Sequence, residues 1–255
     1  MTINHNLTEN ERTHFTTHGF LIMKNCVALD RIDSMHRVVE YHLKNRIKPF
    51  ELEQEVKYPS APKSKEERGG DTIRRLLLAH SRHAVFNQWQ FDSNVTPILK
   101  ELLEGEFLYL VQSHHNCIMT KQPEYSSVTN WHKDTRYWDF TNQQLINTWL
   151  PLGDETVENG CLKVIPGSHL WNTGKERLDS RLFLRKDLSE NQKWLKNAVN
   201  VKLNKGDLLF FHAALIHAAG CNKTQLSKNA VVSTYHSEKN QEIVSPFPAL
   251  QPVLV

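Results

Sequence analysis

The spacing of apolar residues changes once along the chain, near Gly105. Before that point apolar side chains mostly recur every three or four residues, which predicts helices that bury one face. The sequence predicts one short strand there, Phe20–Met23, and helical segments that begin at Thr8 and cover residues 32–43, 72–79 and 95–103. Residues 50–72 have no periodicity and end in KSKEERGGD, so we expect a surface loop or a mobile lid.

After Gly105 the pattern is that of short strands separated by turn residues. The predicted strands are Phe107–Gln112, His114–Thr120, Leu145–Leu152, Leu162–Ile165, Val201–Leu203, Asp207–His212 and Ala230–Tyr235. Strands without helices alternating between them argue for an antiparallel barrel or sandwich. We therefore expect one domain over residues 1–255, with residues 1–104 as largely helical support and residues 105–240 as a β-barrel core.

The composition excludes several classes of protein. With 39% apolar and 23% charged residues, the chain is too apolar for disorder and too polar for a membrane protein. Its 31 basic and 28 acidic residues form no basic run with interleaved aromatics, so we expect no nucleic-acid partner and no membrane partner. The N-terminus has no signal-peptide pattern and the four cysteines have no CxxC spacing, which favours reduced thiols in the cytoplasm.

Two segments carry the candidate chemistry. In NWHKD, His132 and Asp134 lie two positions apart, and on a strand such positions point to the same face, where both side chains can meet one metal ion. In GDLLFFHAALIHAAGCN, His212 and His217 follow an apolar run, where a buried imidazole needs partners. The separation of these two histidines is odd, so only one of them can face into the barrel on a regular strand.

Two histidines and one carboxylate on a β-scaffold form the facial triad, which leaves coordination positions open and suits non-haem Fe(II) with oxygen chemistry. A structural zinc site would require four ligands, preferably with cysteine, and none of the cysteines is placed to supply the fourth. Three interpretations of these residues therefore stay open. They are an iron-dependent oxygenase, a zinc hydrolase with the same ligands, and a non-catalytic metal-binding barrel.

Three motifs in this order resemble the phytanoyl-CoA dioxygenase family of Fe(II)/2-oxoglutarate-dependent oxygenases. They are HKD at 132–134, ENGCLKVIPGSH at 158–169 and GDLLFFHAALIHAAGCN at 206–222, and the opening FTTHGFLIM at 15–23 is similar too. The resemblance spans residues 10–236. It implies a mainly β fold with flanking helices, whose core is a double-stranded β-helix of the jelly-roll, cupin-like type. It also implies Fe(II), 2-oxoglutarate as co-substrate, and O2.

The resemblance assigns the iron ligands position by position. They fall on His132, Asp134 and His217. His212 then becomes a structural histidine, and His169 in the PGSH turn a hydrogen-bonding residue. Halogenating relatives have a small residue in place of the carboxylate, so Asp134 favours hydroxylation or a related oxidation.

The resemblance also implies how the co-substrate is held. The basic residue that anchors the distal carboxylate of 2-oxoglutarate, usually an arginine, falls on Lys228, and Lys223 is the fallback. Lysine offers a point charge instead of the bidentate fork of arginine, so a hydroxyl such as that of Ser233 is expected to help. Met119 and Trp149 match positions that line the co-substrate pocket.

Candidate substrate-binding residues follow from the alternation of side chains along a strand, in which every second residue points to the same face. If the strand persists beyond Asp134, Arg136 and Trp138 share its inward face, and if the chain turns, Arg136 lies on the surface. An inward arginine needs an anion, which indicates a small, anionic metabolite. Arg74 and Arg75 are a second candidate anion contact. We expect hydroxylation of an unactivated C–H bond in a small-molecule substrate, with an acyl-CoA as the alternative; the sequence leaves the oligomeric state open.

Overall fold

β-Strands in two sheets form most of the structure, and helices flank them. The computed structural model describes residues 6–56, 58, 60–123, 125–243 and 253–255. The strands are β1 Phe20–Met23, β2 Phe50–Leu52, β3 Ile73–Leu77, β4 Leu108–Lys121, β5 Thr129–His132, β6 Ile146–Pro151, β7 Leu162–Val164, β8 Val199–Val201, β9 Leu208–His212, β10 His217–Ala219, β11 Lys228–Ser237 and β12 Val253–Leu254. The helices are α1 Glu9–His18, α2 Leu29–Lys44, α3 Ala79–Arg82, α4 Ala84–Gln90, α5 Thr96–Leu102 and α6 Ser189–Leu195.

All strand pairs are antiparallel, as the short strand segments predict. The larger sheet has the order β1-β9-β6-β11-β4-β3-β2, with β12 on the side of β4, and the smaller sheet has the order β5-β10-β7-β8. The mainly β fold with flanking helices is therefore confirmed.

The N-terminal helices pack on the larger sheet. The capping box that begins α1 is present, because the Thr8 side chain accepts from the Glu11 backbone N–H and the Glu11 carboxylate accepts from the Thr8 N–H at 2.8 Å. The periodic apolar face of α2 is buried at Ile32, Met35 and Val39 in one core cluster with side chains of α4 and the sheet.

Two predictions for the first hundred residues are wrong. Residues 72–79 were expected to be helical, but Ile73–Leu77 form β3, which pairs with β4 on one side and with β2 on the other. The segment expected to be a loop from residue 50 begins as β2 and a 3-10 turn, Glu53–Glu55, before the irregular chain that leads to β3. Residues 1–104 therefore contribute three strands to the larger sheet and are more than helical support.

A bulge in β4 shapes the interior. Along β11, Ser233 pairs with Asn116 and the next residue, Thr234, pairs with Val111, so the register of β4 shifts across residues 112–115. The backbone of His114 takes a positive φ of 57° within this bulge. The two strands predicted at 107–112 and 114–120 are thus one bent strand, and the bend directs His115 to a buried position.

Two expectations from the composition concern the cysteines and the hydropathy of the helices. All four cysteines are free thiols, and Cys117 and Cys161 are buried. Within the described residues, none of the helices combines the length and the hydropathy that a bilayer crossing needs. The cytoplasmic location stays a prediction of the sequence.

Gly160 lies in the turn before β7, where its backbone approaches that of Gly220, the residue after β10. Its φ is +80°, and a Cβ built there would lie 2.6 Å from the Gly220 carbonyl oxygen. We expect Gly160→Ala to lower the free energy of unfolding by about 2 kcal/mol or more, since strain and contact add. The matched control is Gly153→Ala, where a Cβ meets nothing within 4 Å. Urea unfolding measures both, and equal stability of the two variants would contradict the close approach.

Candidate metal centre

The pairing of β5 with β10 sets two histidines opposite each other. His132 ends β5, His217 begins β10, and the two residues are register partners in the smaller sheet. Their ring centroids lie 4.3 Å apart, and both residues are about 95% buried, with 4% and 5% of their surface exposed. Two remote segments of the sequence therefore deliver one imidazole pair to the interior of the β-scaffold.

Asp134 joins this pair from a turn, not from a strand. β5 ends at His132, and residues Asp134–Tyr137 form a 3-10 turn, which we call the 134–137 turn. The Asp134 backbone N–H donates to the Ala213 carbonyl at 2.8 Å, which fixes the start of the turn against the segment between β9 and β10. The strand geometry predicted for the HKD triplet is thus wrong beyond His132, although the two side chains do converge.

The hydrogen bonds of the histidines define which ring nitrogens face the carboxylate. His132 Nδ1 lies 2.8 Å from the Asn130 carbonyl and His217 Nδ1 lies 2.9 Å from the Leu215 carbonyl. A carbonyl oxygen only accepts, so each Nδ1 carries a proton, and each Nε2 is the ring nitrogen that faces the carboxylate. These two Nε2 atoms lie 3.2 and 3.4 Å from Asp134 Oδ1.

Asp134 Oδ1 is a buried anionic oxygen without a hydrogen-bond donor. Asp134 is 0% exposed, and this atom has no partner. Burial acts to raise the pKa of Asp134, but the surrounding histidines outweigh it and hold the pKa below its usual range. An ionised oxygen and two ring nitrogens held this close in a buried site are unfavourable unless a proton or a metal cation lies among them. Ligand atoms at about 2.1 Å from a shared ion lie about 3.0 to 3.4 Å apart in adjacent positions, as these atoms do.

The second oxygen of Asp134 is held by neighbouring side chains. Asn147 Nδ2 donates to Oδ2 at 2.8 Å, and Thr234 donates its hydroxyl proton to Asn147 Oδ1. His115 Nδ1 lies 3.4 Å from the same Oδ2, and burial lowers the pKa of His115 to about 4, so this ring is neutral at pH 7. The carboxylate is therefore fixed with Oδ1 turned toward the two histidines.

The three residues lie in the wall of a narrow cavity, which we call the chamber. It is lined by Tyr58, Arg74, His115, Met119, Thr120, Lys121, Thr129, His132, Asp134, Tyr137, Trp149, Leu162, Phe211, His217, Ala218, Ala219 and Lys228. Its side chains leave about 40 Å³ of free space, which is room for a few water molecules. Predicted pocket residues Met119, Trp149 and Lys228 are thus brought together with the histidines and the carboxylate.

Lys228 already has a carboxylate partner. Its Nζ donates to Glu155 Oε2 at 3.0 Å, and Glu155 Oε1 accepts from Trp149 Nε1 at 2.8 Å. The side chains of Lys228 and Glu155 are 4% and 0% exposed, so this is a buried ion pair. Neither Glu155 nor its contact with Trp149 was predicted, because the partner lies 73 residues from Lys228 in the sequence.

Arg74 and Lys121 bring two further cations to the chamber. Arg74 Nη2 donates to Thr129 Oγ1 at 2.6 Å, and Arg74 Nη1 lies 3.5 Å from Glu53 Oε1. Lys121 Nζ donates to the Ser127 carbonyl at 3.0 Å, and burial beside Arg74 and Lys228 lowers the pKa of Lys121. Arg74 was predicted only as a weak substrate contact, and Lys121 was missed.

Other predicted residues lie outside the chamber. Ser233 is fully buried between β4 and β6, and its hydroxyl does not line the chamber, although Thr120 and Thr129 offer hydroxyls there. Lys223 is exposed. His212 does not line the chamber either. Its Nδ1 accepts from the Ala214 N–H at 3.0 Å, which is the behaviour of a structural histidine.

The predicted substrate residues separate because the chain turns. Trp138 donates from Nε1 to Ser113 Oγ at 3.0 Å and packs in a small apolar cluster, so it does not line the chamber. Arg136 is half-buried, and its guanidinium lies 4.1 Å from the ring centroid of Phe183. The inward face that a continued strand would have given to both residues is not formed. Arg75 pairs with Glu51 outside the chamber.

A second cavity, which we call the vestibule, adjoins the chamber. It measures about 370 Å³, shares Tyr58 and Tyr137 with the chamber, and is also lined by Arg136, which the sequence predicted as a substrate residue. The hydroxyl oxygens of these tyrosines lie 3.3 Å apart. The ring of Phe183 also contacts His132, with centroids 5.8 Å apart. Sequence patterns gave no sign of Tyr58 or Phe183, because both come from irregular segments.

Comparison with known proteins identifies the family of the chain. The profile of the phytanoyl-CoA dioxygenase family matches residues 15–230. The chain belongs to the phytanoyl-CoA dioxygenase family. Peroxisomal phytanoyl-CoA dioxygenase of Homo sapiens is 27% identical over 254 residues, which cover 89% of this chain and 68% of that protein. The resemblance of the three motifs and the predicted enzyme class, a 2-oxoglutarate-dependent dioxygenase, are thereby confirmed.

Solved structures similar to this member of the phytanoyl-CoA dioxygenase family confirm the double-stranded β-helix fold. One is EctD from S. alaskensis, whose structure contains 2-oxoglutarate and 5-hydroxyectoine. Its TM-score is 0.74 at 16% identity, and the match covers 97% of this chain and 82% of the EctD chain. Another is the epimerase SnoN in complex with Fe3+, alpha ketoglutarate and nogalamycin RO. Its TM-score is 0.73 at 16% identity, and the match covers 96% of this chain and 92% of the SnoN chain.

His212 gives a prediction for stability against pH. Burial lowers its pKa to about 4, and nearby His169 and Lys133 act in the same direction. The unfolded chain therefore takes up this proton first, and stability falls as the pH drops from about 6.5 toward 4. Between pH 7.5 and 5 this group accounts for a loss of about 2 kcal/mol. We expect the free energy of unfolding of His212→Gln to fall by about 2 kcal/mol less than that of the wild type over the same pH range. Urea unfolding of the metal-free proteins measures this difference. The same pH dependence in both proteins would contradict the neutral imidazole.

Proposed function

We propose that the protein is an Fe(II)- and 2-oxoglutarate-dependent hydroxylase whose iron ligands are His132, Asp134 and His217. The observation that carries this proposal is the buried Asp134 Oδ1, which faces the Nε2 atoms of two imidazoles at 3.2 and 3.4 Å. The three ligand atoms all lie within 4.8 Å of one another. Two nitrogens and one oxygen on one side of an ion suit non-haem iron and leave its other positions open. When bound, iron, 2-oxoglutarate and O2 supply the oxidising power for hydroxylation of an unactivated C–H bond.

The cations at the end of the chamber are proposed to hold the co-substrate. A dicarboxylate needs a positive partner away from the metal, and Arg74, Lys121 and Lys228 line the same chamber as the metal ligands. Arg74 supplies the planar guanidinium that β11 lacks at Lys228. Because the free space is small, the co-substrate enters only when side chains move, and the long Lys228 side chain and the Tyr58–Tyr137 contact are suited to do so.

Aromatic rings around the metal ligands are proposed to exclude water and to admit a small substrate through the vestibule. Phe211 contacts the ring of His217, with centroids 5.2 Å apart, and Tyr137 and Phe183 lie beside His132. A reactive oxidant needs such shielding from solvent. A vestibule of about 370 Å³ has the size of a small-metabolite site, which favours a small molecule over an acyl-CoA, whose nucleotide portion would lie outside.

Replacement of each proposed iron ligand by alanine tests the metal centre. We expect His132→Ala, Asp134→Ala and His217→Ala to abolish iron-dependent release of succinate from 2-oxoglutarate, since each removes one of three ligands. The matched control is His212→Ala, a buried histidine outside the chamber, which should keep the activity even if it is less stable. Activity that persists without O2, or that depends on His212 and not on His217, would overturn the proposal.

Lys228 and its partner Glu155 test the co-substrate anchor. We expect Lys228→Met to raise the KM for 2-oxoglutarate by about tenfold or more, because it removes one cation and leaves a buried carboxylate unpaired. The double variant Lys228→Met/Glu155→Gln should recover part of this loss, since the repelling charge is gone and Arg74 remains. Affinity for Mn2+, measured by calorimetry, should stay the same in both.

The exposed Lys223→Met variant is the matched control for charge, and its KM for 2-oxoglutarate should equal that of the wild type. An unchanged KM in Lys228→Met would place the anchor on Arg74 and Lys121 alone and contradict a role for Lys228.

A further inference from the structure

A third cavity lies on the far side of the 134–137 turn, and we call it the rear cavity. It measures about 470 Å³ and shares a single lining residue, His132, with the chamber. In a 3-10 turn, positions three apart lie above one another. Asp134 and Tyr137 thus line the chamber, whereas Lys133 and Arg136 line the rear cavity, and Arg136 lines the vestibule as well. The 134–137 turn therefore separates the chamber from the rear cavity and presents different side chains to each.

The lining of the rear cavity is cationic. Lys133 and Arg136 contribute two positive charges, and none of the described residues that line it is acidic. The Lys133 Nζ donates to the Trp171 carbonyl at 2.9 Å and has no carboxylate partner. By contrast, the buried Arg75 and Lys228 each pair with a glutamate. A cation that is drawn into a protein cavity without a counter-charge favours the binding of an anion.

Several polar atoms in this lining lack hydrogen-bond partners. They are Arg136 Nη1, His169 Nδ1 and Thr173 Oγ1, and all three atoms are buried. A buried polar atom without a hydrogen-bond partner is unfavourable, so an anion in the cavity would favour a small rotation that turns the Arg136 guanidinium and the Thr173 hydroxyl toward it. A guanidinium and a hydroxyl are donors for the oxygens of a carboxylate or phosphate group.

The remaining wall is apolar and comes from the segment between β7 and β8. Trp171, Leu178, Leu182 and Leu184 line it, together with the exposed Leu170 at the rim, which is 71% exposed. A cavity of this volume is typical of small-molecule sites, in which apolar walls carry most of the contact and a few polar groups set the orientation. The rear cavity has both parts.

We propose that the rear cavity binds an organic anion, a carboxylate or phosphate group carried on an apolar body, at a site separate from the chamber. Lys133, Arg136 and Thr173 bind the charged oxygens, and Trp171 and the leucines contact the apolar body. The anion predicted for Arg136 from the sequence then lies behind the metal-ligand turn and not over the metal. Arg136 borders the vestibule as well, whereas Lys133 and Thr173 line only the rear cavity, and binding at this site can be tested without turnover.

Calorimetric titration with benzoate and with phenyl phosphate tests the site. The wild-type protein is loaded with Mn2+ and saturating 2-oxoglutarate under exclusion of air, so that the chamber is filled. We expect saturable binding of at least one probe, and inorganic phosphate should bind more weakly because it lacks the apolar body. Leu170→Glu places a negative charge at the rim, away from the metal ligands, and should weaken binding about tenfold or more.

Leu226→Glu is the matched control, since Leu226 is 78% exposed and does not line the cavity, and its probe affinity should equal that of the wild type. Lys133→Met should also weaken binding about tenfold while the exposed Lys175→Met does not. The absence of saturable binding by both probes, equal binding by Leu170→Glu and wild type, or displacement of the probes by 2-oxoglutarate would each overturn the site. Failure of the hydroxylase proposal would appear separately, as a lack of succinate release.

Discussion

The site depends on one buried carboxylate oxygen that has no donor. Register pairing of β5 with β10 fixes His132 opposite His217, and the hydrogen bond from Asp134 N–H to Ala213 fixes the third ligand beside them. Asn147 then turns Oδ1 toward the imidazoles by holding the other oxygen. Burial of an ionised group in this way is unfavourable without a cation. The surrounding structure therefore preorganises the ligands and leaves their mutual repulsion for an ion to relieve.

Basic side chains line the same chamber as the candidate metal ligands. Arg74 lies beside Glu53 and Lys228 pairs with Glu155, while burial beside Arg74 and Lys228 lowers the pKa of Lys121. A bound dicarboxylate would offer one negative group to these basic residues and one to a divalent ion that His132, Asp134 and His217 would hold. Such pairing would lower the unfavourable energy of buried charge. Glu155 has a related role beside the proposed anchor, because its carboxylate pairs with the buried ammonium group of Lys228 when no co-substrate is bound.

The fold and the three residues of the candidate metal centre could be predicted largely from local patterns and the resemblance of the motifs, whereas the partners of these residues could not. Period-two runs and the spaced motifs located most of the core strands and the histidines. Ile73–Leu77 reads as a helix because arginine and leucine favour helices, but pairing with β2 and β4 on both sides overrides that preference. Glu155 and Lys228 meet through tertiary packing across 73 residues, and no spacing rule relates them. Such contacts depend on the register of the whole sheet.

The step from strand to turn after His132 determines how charge is distributed around the metal ligands. A continued strand has a period of two and would have placed Arg136 on the same face as Asp134. The 3-10 turn has a period of three, so Tyr137 takes that place and Arg136 joins Lys133 on the other side. A guanidinium beside a divalent ion would repel it strongly at low dielectric. The turn removes this conflict, and it thereby concentrates two unpaired cations in a cavity that has no acid of its own.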